Sequence, residues 1–522
     1  MVAPNVLSVD HLIERPELIH LSMEMVKINV KEKIILRRRL PIGLGICESS
    51  IRDMLARETI IGLPPSVLGR YIRNGPNPQF IPRGPYHLFD GDGMLHSIKI
   101  SKGKPTFCSR FIKTYKYTVE RDTGSPVVMN NLAAYTSLPA AMARHAIAFG
   151  RGLSGQYDFR RGMGNANTSV AHVGGKLMAL GESDLPYAIK LTSDGDIITL
   201  GRFEECGNPP EWITAHPKLD NETGEAFVYG YSVRRPFLTY FRINADGSKQ
   251  AEVPIFSKKD ASLVHDFAIS KNYAIFPDSQ VVIKLREIMR GKQPGVVDTA
   301  KVPRWDYIAM TPWMREMWWV EVPGFNFVHT VNAWEEDGGD TIVMVAPNVL
   351  SVDHLIERPE LIHLSMEMVK INVKEKIVTR RPITHRSLEF AVINPGYVGK
   401  RNRYIYAAVV SSGIKMAGVV KLDLSLSTAN SGDCVVASRL YEPGCYGGEP
   451  CFIPRDPHNP TAEEDDGYIV NYIYNETTNE SKFIVMDAKS SNLEIVAVVK
   501  LPQRVPYGFH GMFVPDCHLQ KL

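Results

Sequence analysis

From about residue 62 onward, the chain is a succession of short runs dominated by apolar, β-branched and aromatic residues: HSIKI, KLMAL, DIITL, TIVMVA, YIYAAVV and FIVMDA. Turns rich in Gly, Asn, Asp and Pro, such as GPNP, DGDG, NPGYVG and DPHNP, separate them. Many short strands without long helices in between predict an all-β fold. A length of 522 residues could hold several ordinary domains, but this density of strands points to one large propeller.

Two segments depart from the strand pattern. Residues 138–155, LPAAMARHAIAFGRGLSG, predict a helix with Arg144 and Arg151 near one face. Such a helix could pack on the β body, or lie at a lipid surface with its basic side at the headgroups. SVDHLIERPELIHL at 351–364 opens with a Ser/Asp cap signal and predicts a shorter helix, limited by Pro359.

Residues 1–34 recur identically at 344–377. Repeats of a fold keep a packing pattern and tolerate substitution, so identity over this length speaks for recent duplication rather than a solenoid. The internal copy is expected to belong to the fold and the N-terminal copy to be a passenger. The expected division is therefore an atypical segment at 1–62 and a single propeller domain at 63–522.

Composition narrows the functions. At 44% hydrophobic and 22% charged the chain is that of a folded protein with ample apolar surface to bury. A net charge of +3, with no basic block interleaved with aromatics, argues against nucleic acid as a partner. The seven cysteines are scattered without a C-x-x-C pair, which favours a reducing compartment and disfavours a thiolate metal site. No apolar stretch is long enough for a spanning helix. The N-terminus, with Asp10, Glu14, Glu17, Glu24 and Glu32, has neither a secretory signal nor a clear transit peptide. The acidic run AEEDDGY at 462–468 lacks the spacing of a calcium loop and is expected to be a solvated loop.

Four of the fifteen histidines sit in compact, unusual contexts: WITAHPK (His216), LVHDFAIS (His265), FVHTVNAWEE (His329) and PYGFHGMF (His510). Their spacing matches no short metal motif. In a propeller, however, inner strands of different blades all reach the axis, so distant residues can converge there. His354 and His363 have copies at His11 and His20, and the duplication accounts for them.

These contexts, together with GLPPSVLGRYIRNGPNPQF and YHLFDGDGMLHS, closely resemble the carotenoid cleavage dioxygenases over about Leu63 to Val514. The stretch FAVINPGYVGKRNRYIYAAVV and the ending RVPYGFHGMFV look most like the fourth plant subfamily. The resemblance implies a seven-bladed β-propeller with a helical dome over the iron-bearing face. It also implies an iron(II) ion, Fe(2+), held by His216, His265, His329 and His510. Three glutamates that orient the ligand rings match Glu182 in ALGESDLPY, Glu389 in SLEFAVIN and Glu449 in YGGEPCF.

By neighbourhood, Phe327 and Phe509 are expected to line a tunnel for an apolar substrate. The implied reaction joins dioxygen to one double bond of a carotenoid and yields two carbonyl products. Cleavage at 9,10 (9′,10′) of a C40 carotenoid such as β-carotene is expected. Cleavage at 7,8 or 5,6, or of lycopene, zeaxanthin or an apocarotenoid, stays open, as does a silent carotenoid-binding propeller. The resemblance further implies a plastid location and contact of 138–155 with a membrane or lipid droplet. Upstream of Leu63 the chain departs from the family, carrying RRRLPIGLGICESSIRDMLARETII, and a strand for ring closure is at stake there.

Overall fold

The computed structural model describes the strands at 24–29 and 34–39 and residues 58–516, apart from short stretches at 83–85, 88, 129–137, 205–211, 233, 256–257, 259–260, 285–286, 288–289, 291–294, 310–316, 356–357, 359–360, 412–414 and 429–432. Seven antiparallel sheets form the blades of a propeller. In chain order, blade 2 runs from Ser169 to Arg202, blade 3 from Trp212 to Ile255 and blade 4 from Ala268 to Glu321. Blade 5 follows at 332–382, blade 6 at 388–440 and blade 7 at 445–500. Blade 1 takes strands Gly69–Asn77, Asp92–Ser101 and Lys104–Phe111, and borrows Gly511–Pro515 from the far end of the chain.

Local sequence explains the meanders. Ser101 pairs with Lys104 across Lys102 and Gly103, both at positive φ (50° and 72°), the backbone hand that lets a two-residue turn follow the strand twist. Middle strands such as Thr341–Val349 are buried along almost their whole length because blades press on both faces, which is why TIVMVA reads as an unbroken apolar run. Outer strands such as Ile377–Pro382 are exposed, and Arg380 and Arg381 there discourage edge pairing with other chains.

The apolar core is a ring of separate clusters between blades. Tyr71, Phe107 and Phe483 fill the space between blades 1 and 7. Trp305, Ile342 and Val369 lie between blades 4 and 5, and Trp334, Leu388 and Val420 between blades 5 and 6. No single cluster spans the molecule, so the axis is left to polar groups.

Both ends of the chain close the ring. Gly511–Pro515 pairs with Gly69–Asn77 on the inside of blade 1. Glu58–Ile61 pairs with Ile495–Lys500 on the outside of blade 7. The propeller thus takes in residues upstream of the expected start at 63, from the stretch that departs from the family. Most of 1–62 lies outside the described residues. Within it, Glu24–Asn29 and Ile34–Arg39 form a two-stranded sheet.

Between blades 1 and 2 lie the two α-helices described, Tyr115–Thr123 and Leu138–Leu153. The predicted helix at 138–155 is present, but its faces are reversed. Arg144 and Arg151 are half-buried, with Arg151 Nη1 donating to the Val127 carbonyl, while Met142, Ile147, Phe149 and Leu153 face outward at 54–75% exposure. The predicted helix at 351–364 is reduced, where described, to 3-10 turns such as Val352–His354, since strand Leu364–Asn372 claims its end.

The acidic run is also no free loop. Glu464 accepts the backbone N–H groups of Arg403 and Tyr404 at 2.7–2.9 Å, and Asp465 pairs with Lys421 at 2.6 Å, so it joins blade 7 to blade 6.

Candidate metal centre

Each of the four histidines stands at the innermost strand of its blade. His216 lies between the short strands Trp212–Ile213 and Lys218–Leu219 of blade 3. His265 precedes Ala268–Ile269 of blade 4, His329 precedes Asn332–Glu336 of blade 5, and His510 precedes Gly511–Pro515 of blade 1. Repeated topology therefore brings residues far apart in sequence to one axis. One ring nitrogen from each lies within 4.8 Å of those of the other three. His265 Nε2 is 3.0 Å from His216 Nε2 and 3.2 Å from His329 Nε2.

The remaining blades supply carboxylates to the outer sides of these rings. Glu182 of blade 2 stands 2.6 Å from His265 Nδ1. Glu389 of blade 6 holds His329 Nδ1 with both oxygens at 3.0 Å. Glu449 of blade 7 accepts from His510 Nδ1 at 2.8 Å and, through its other oxygen, from the Gly511 N–H at 3.0 Å. A carboxylate accepting at Nδ1, as Glu389 and Glu449 do, fixes the proton there and leaves the Nε2 lone pair facing the axis; Glu182 is close to His265 but out of line for a hydrogen bond. Burial would raise the Glu389 carboxyl, but His329 and the Phe390 N–H outweigh it and hold it below its ordinary value.

His216 is the exception, since among the described residues no carboxylate meets its ring. Burial, then the three other imidazoles and Lys218, push its pKa well below the ordinary histidine value, so it stays neutral. Ring nitrogens crowded at about 3 Å are a poor fit for one another alone, and a cation between them would take up their lone pairs. Four imidazoles suit a first-row transition metal and leave coordination positions open for small ligands.

Of the two phenylalanines expected to line a tunnel, Phe327 is buried in the core between blades 4 and 5, 5.8 Å from Trp305 and 6.0 Å from Phe325. Phe509 is half-buried, with its ring 5.3 Å from Phe89, in the connection between strands Gly69–Asn77 and Asp92–Ser101 of blade 1. A third ring, which sequence reasoning missed, is nearer the histidines: Phe390 lies 5.5 Å from His329 and 5.4 Å from His510. Its φ of +49° is unusual for a bulky residue and marks strain of the kind found at functional sites. Its place directly after Glu389 was the available signal.

Comparison with known proteins bears on the family and the fold. A family model described as retinal pigment epithelial membrane protein matches residues 49–515. The Arabidopsis thaliana protein named "Probable carotenoid cleavage dioxygenase 4, chloroplastic" is 53% identical over 88% of this chain and 78% of its own length. A zeaxanthin 7,8(7′,8′)-cleavage dioxygenase of Crocus sativus, named as chromoplastic, is 48% identical over 70% of this chain and 99% of its own.

Among solved structures, a variant of the Synechocystis apocarotenoid oxygenase superposes with a TM-score of 0.75 at 23% identity, covering 91% of this chain and 98% of that one. Its cobalt-substituted form matches with a TM-score of 0.73 at 22% identity, covering 91% and 98%. With the family model spanning nearly the whole propeller and plant enzymes at about half identity across it, the chain belongs to the carotenoid cleavage dioxygenases.

Proposed function

We propose that His216, His265, His329 and His510 hold iron(II), and that the chain cleaves one polyene double bond of a carotenoid with dioxygen, giving two carbonyl products. The convergence of four imidazoles, three of them backed by Glu182, Glu389 and Glu449, carries this reading. Bound iron would supply the activation of dioxygen, which organic side chains cannot provide. The chain's own part is to aim the rings and present an apolar wall, for which Phe390 and Phe509 are the residues beside the histidines. No general base is required. His329→Ala is expected to lose iron and cleavage together, and a variant retaining both would overturn the site.

The substrate proposed is a C40 carotenoid such as β-carotene, cut at 9,10 (9′,10′) to β-ionone-type products, in a plastid. The plastid names of the relatives support the location, and the resemblance to the fourth plant subfamily carries the choice of bond. Incubation with β-carotene under labelled dioxygen is expected to give β-ionone and apocarotenals, each carrying one labelled oxygen. The identity to a 7,8-cleaving relative favours one second outcome, products one double bond further out from zeaxanthin. Iron-loaded protein that yields no carbonyl product from either substrate would leave a silent carotenoid-binding propeller.

Access to so insoluble a substrate is proposed to run through the helix Leu138–Leu153. Its outward face carries Leu138, Met142, Ile147, Phe149 and Leu153, an apolar surface suited to lying in a lipid interface. Among the described residues no helix is long and apolar enough to cross a membrane. Phe149→Glu with Leu153→Glu is expected to abolish flotation with liposomes while iron content stays unchanged.

A further inference from the structure

We infer that Asp266 is a positioning residue that locks three of the four ligand-bearing loops into one register. The inference rests on the four-histidine metal reading above. Asp266 directly follows His265 and is 2% exposed. Its Oδ1 pairs with Lys218 Nζ at 2.7 Å and accepts the Phe267 N–H at 2.7 Å. Its Oδ2 accepts the Thr330 N–H at 2.7 Å and the Thr330 hydroxyl at 2.9 Å.

Lys218 lies two residues after His216, and Thr330 one residue after His329. One buried carboxylate therefore holds the immediate neighbours of three ligands, from blades 3, 4 and 5. A carboxylate can satisfy several donors arriving from different directions at once, which a neutral side chain of this size cannot.

Neighbouring bonds reinforce the lock. The Thr330 hydroxyl also donates to the Phe267 carbonyl at 3.0 Å. Tyr229 of blade 3 donates its hydroxyl to the carbonyls of Val264 and His265, both at 2.8 Å, while its own carbonyl accepts the Thr214 N–H at 2.9 Å. Thr214 Oγ1 in turn accepts the His216 N–H at 3.0 Å.

His510 is held separately. Its N–H reaches the Thr168 carbonyl at 3.2 Å, its carbonyl accepts the Asn74 N–H at 3.0 Å, and its ring meets Glu449. The ligand set is thus divided three to one, with His216, the ring lacking a carboxylate, inside the locked group. Its aim is set through the backbone, by Lys218 on one side and Thr214 on the other.

The test uses the full-length apoprotein titrated with cobalt(II) against a competing chelator, reading affinity and the visible absorption bands. Asp266→Asn is expected to weaken cobalt binding about ten- to hundredfold and to shift the bands. Lys218→Met, at a partly exposed partner, should weaken it severalfold and carries the test if Asp266→Asn does not fold. Asp423→Asn serves as the comparison for general damage. Asp423 is also buried, in blade 6, and pairs with Arg403 at 2.7 Å and accepts the Ser425 hydroxyl at 2.6 Å, on no ligand loop. It should lower thermal stability while cobalt affinity stays at the wild-type value.

Unchanged affinity and bands in folded Asp266→Asn and Lys218→Met would overturn the lock alone, as would an equal loss of affinity in Asp423→Asn. A wild-type chain that takes up no cobalt would overturn the four-histidine reading and the lock with it.

Discussion

The two copies of the duplicated segment carry the same residues into different surroundings. In the N-terminal copy Glu24 pairs with Arg39 and Asn29 with Ile34. In the internal copy Glu367 pairs with Pro382 and Asn372 with Ile377, the same register. The duplication supplies the first strand, the turn and only the first residue of the second strand, Ile34 or Ile377. Beyond it ILRRR and VTRRP differ, yet the register is kept, so the hairpin is written locally in the shared strand and turn. What differs is the company it keeps. The N-terminal hairpin is a sheet of two strands, whereas the internal one is the outer half of blade 5, with Asn332–Glu336 and Thr341–Val349 beside it and blades 4 and 6 on its faces.

The internal copy also holds the segment that precedes His329 of the candidate metal centre. Asn348, fully buried, accepts the Asn326 N–H at 2.9 Å and donates to Gly324 at 3.1 Å and Glu367 at 2.9 Å. Those bonds fix the segment that leads into His329.

The contrast can be broken at matched positions. The largest effect is expected from deleting 344–377, which removes half of blade 5 and should leave no folded protein by circular dichroism. Ile371→Ala, in the core between blades 4 and 5, should cost about 3 kcal/mol in denaturant unfolding, whereas Ile28→Ala at the matching site costs less than about 0.5 kcal/mol.

Asn348→Ala should cost about 2 kcal/mol by orphaning buried partners, and should also weaken metal binding by loosening the His329 loop. Asn5→Ala should change neither. Arg380→Gln, which breaks the 2.9 Å pair with Glu367, should cost about 1 kcal/mol. The smallest effect is expected from deleting 1–48, with melting temperature and metal content unchanged. If the N-terminal twins cost as much as the internal ones, the first copy is a working part of the fold.

Much of the fold could be read beforehand because it depends on patterns that repeat. Short apolar runs such as YIYAAVV and KLMAL, cut by glycine turns, are local signals, and they mark blade strands Tyr404–Val410 and Lys176–Leu180. Errors arose where packing overruled a local signal. Among the described residues the cap signal at Ser351 yielded 3-10 turns such as Val352–His354, because the following strand belongs to blade 5. Arg144 and Arg151 turned inward, so the helix shows its apolar side instead of its basic one. The acidic run looked solvated, because the backbone groups and lysine that it meets come from blade 6.

The candidate site divides in the same way. The residue types, four histidines in unusual contexts and three glutamates in matching motifs, were present in the chain, as were the duplicated segment and the alternation that forms its hairpins. Only the tertiary structure decided that His329 meets Glu389, that Phe327 is core while Phe390 faces the histidines, and that Asp266 gathers three loops. The physical reason is distance. Periodicity and turn chemistry act over a few residues, whereas metal aim, carboxylate partners and inter-blade packing join groups many tens of residues apart, and those meet only when the ring has closed.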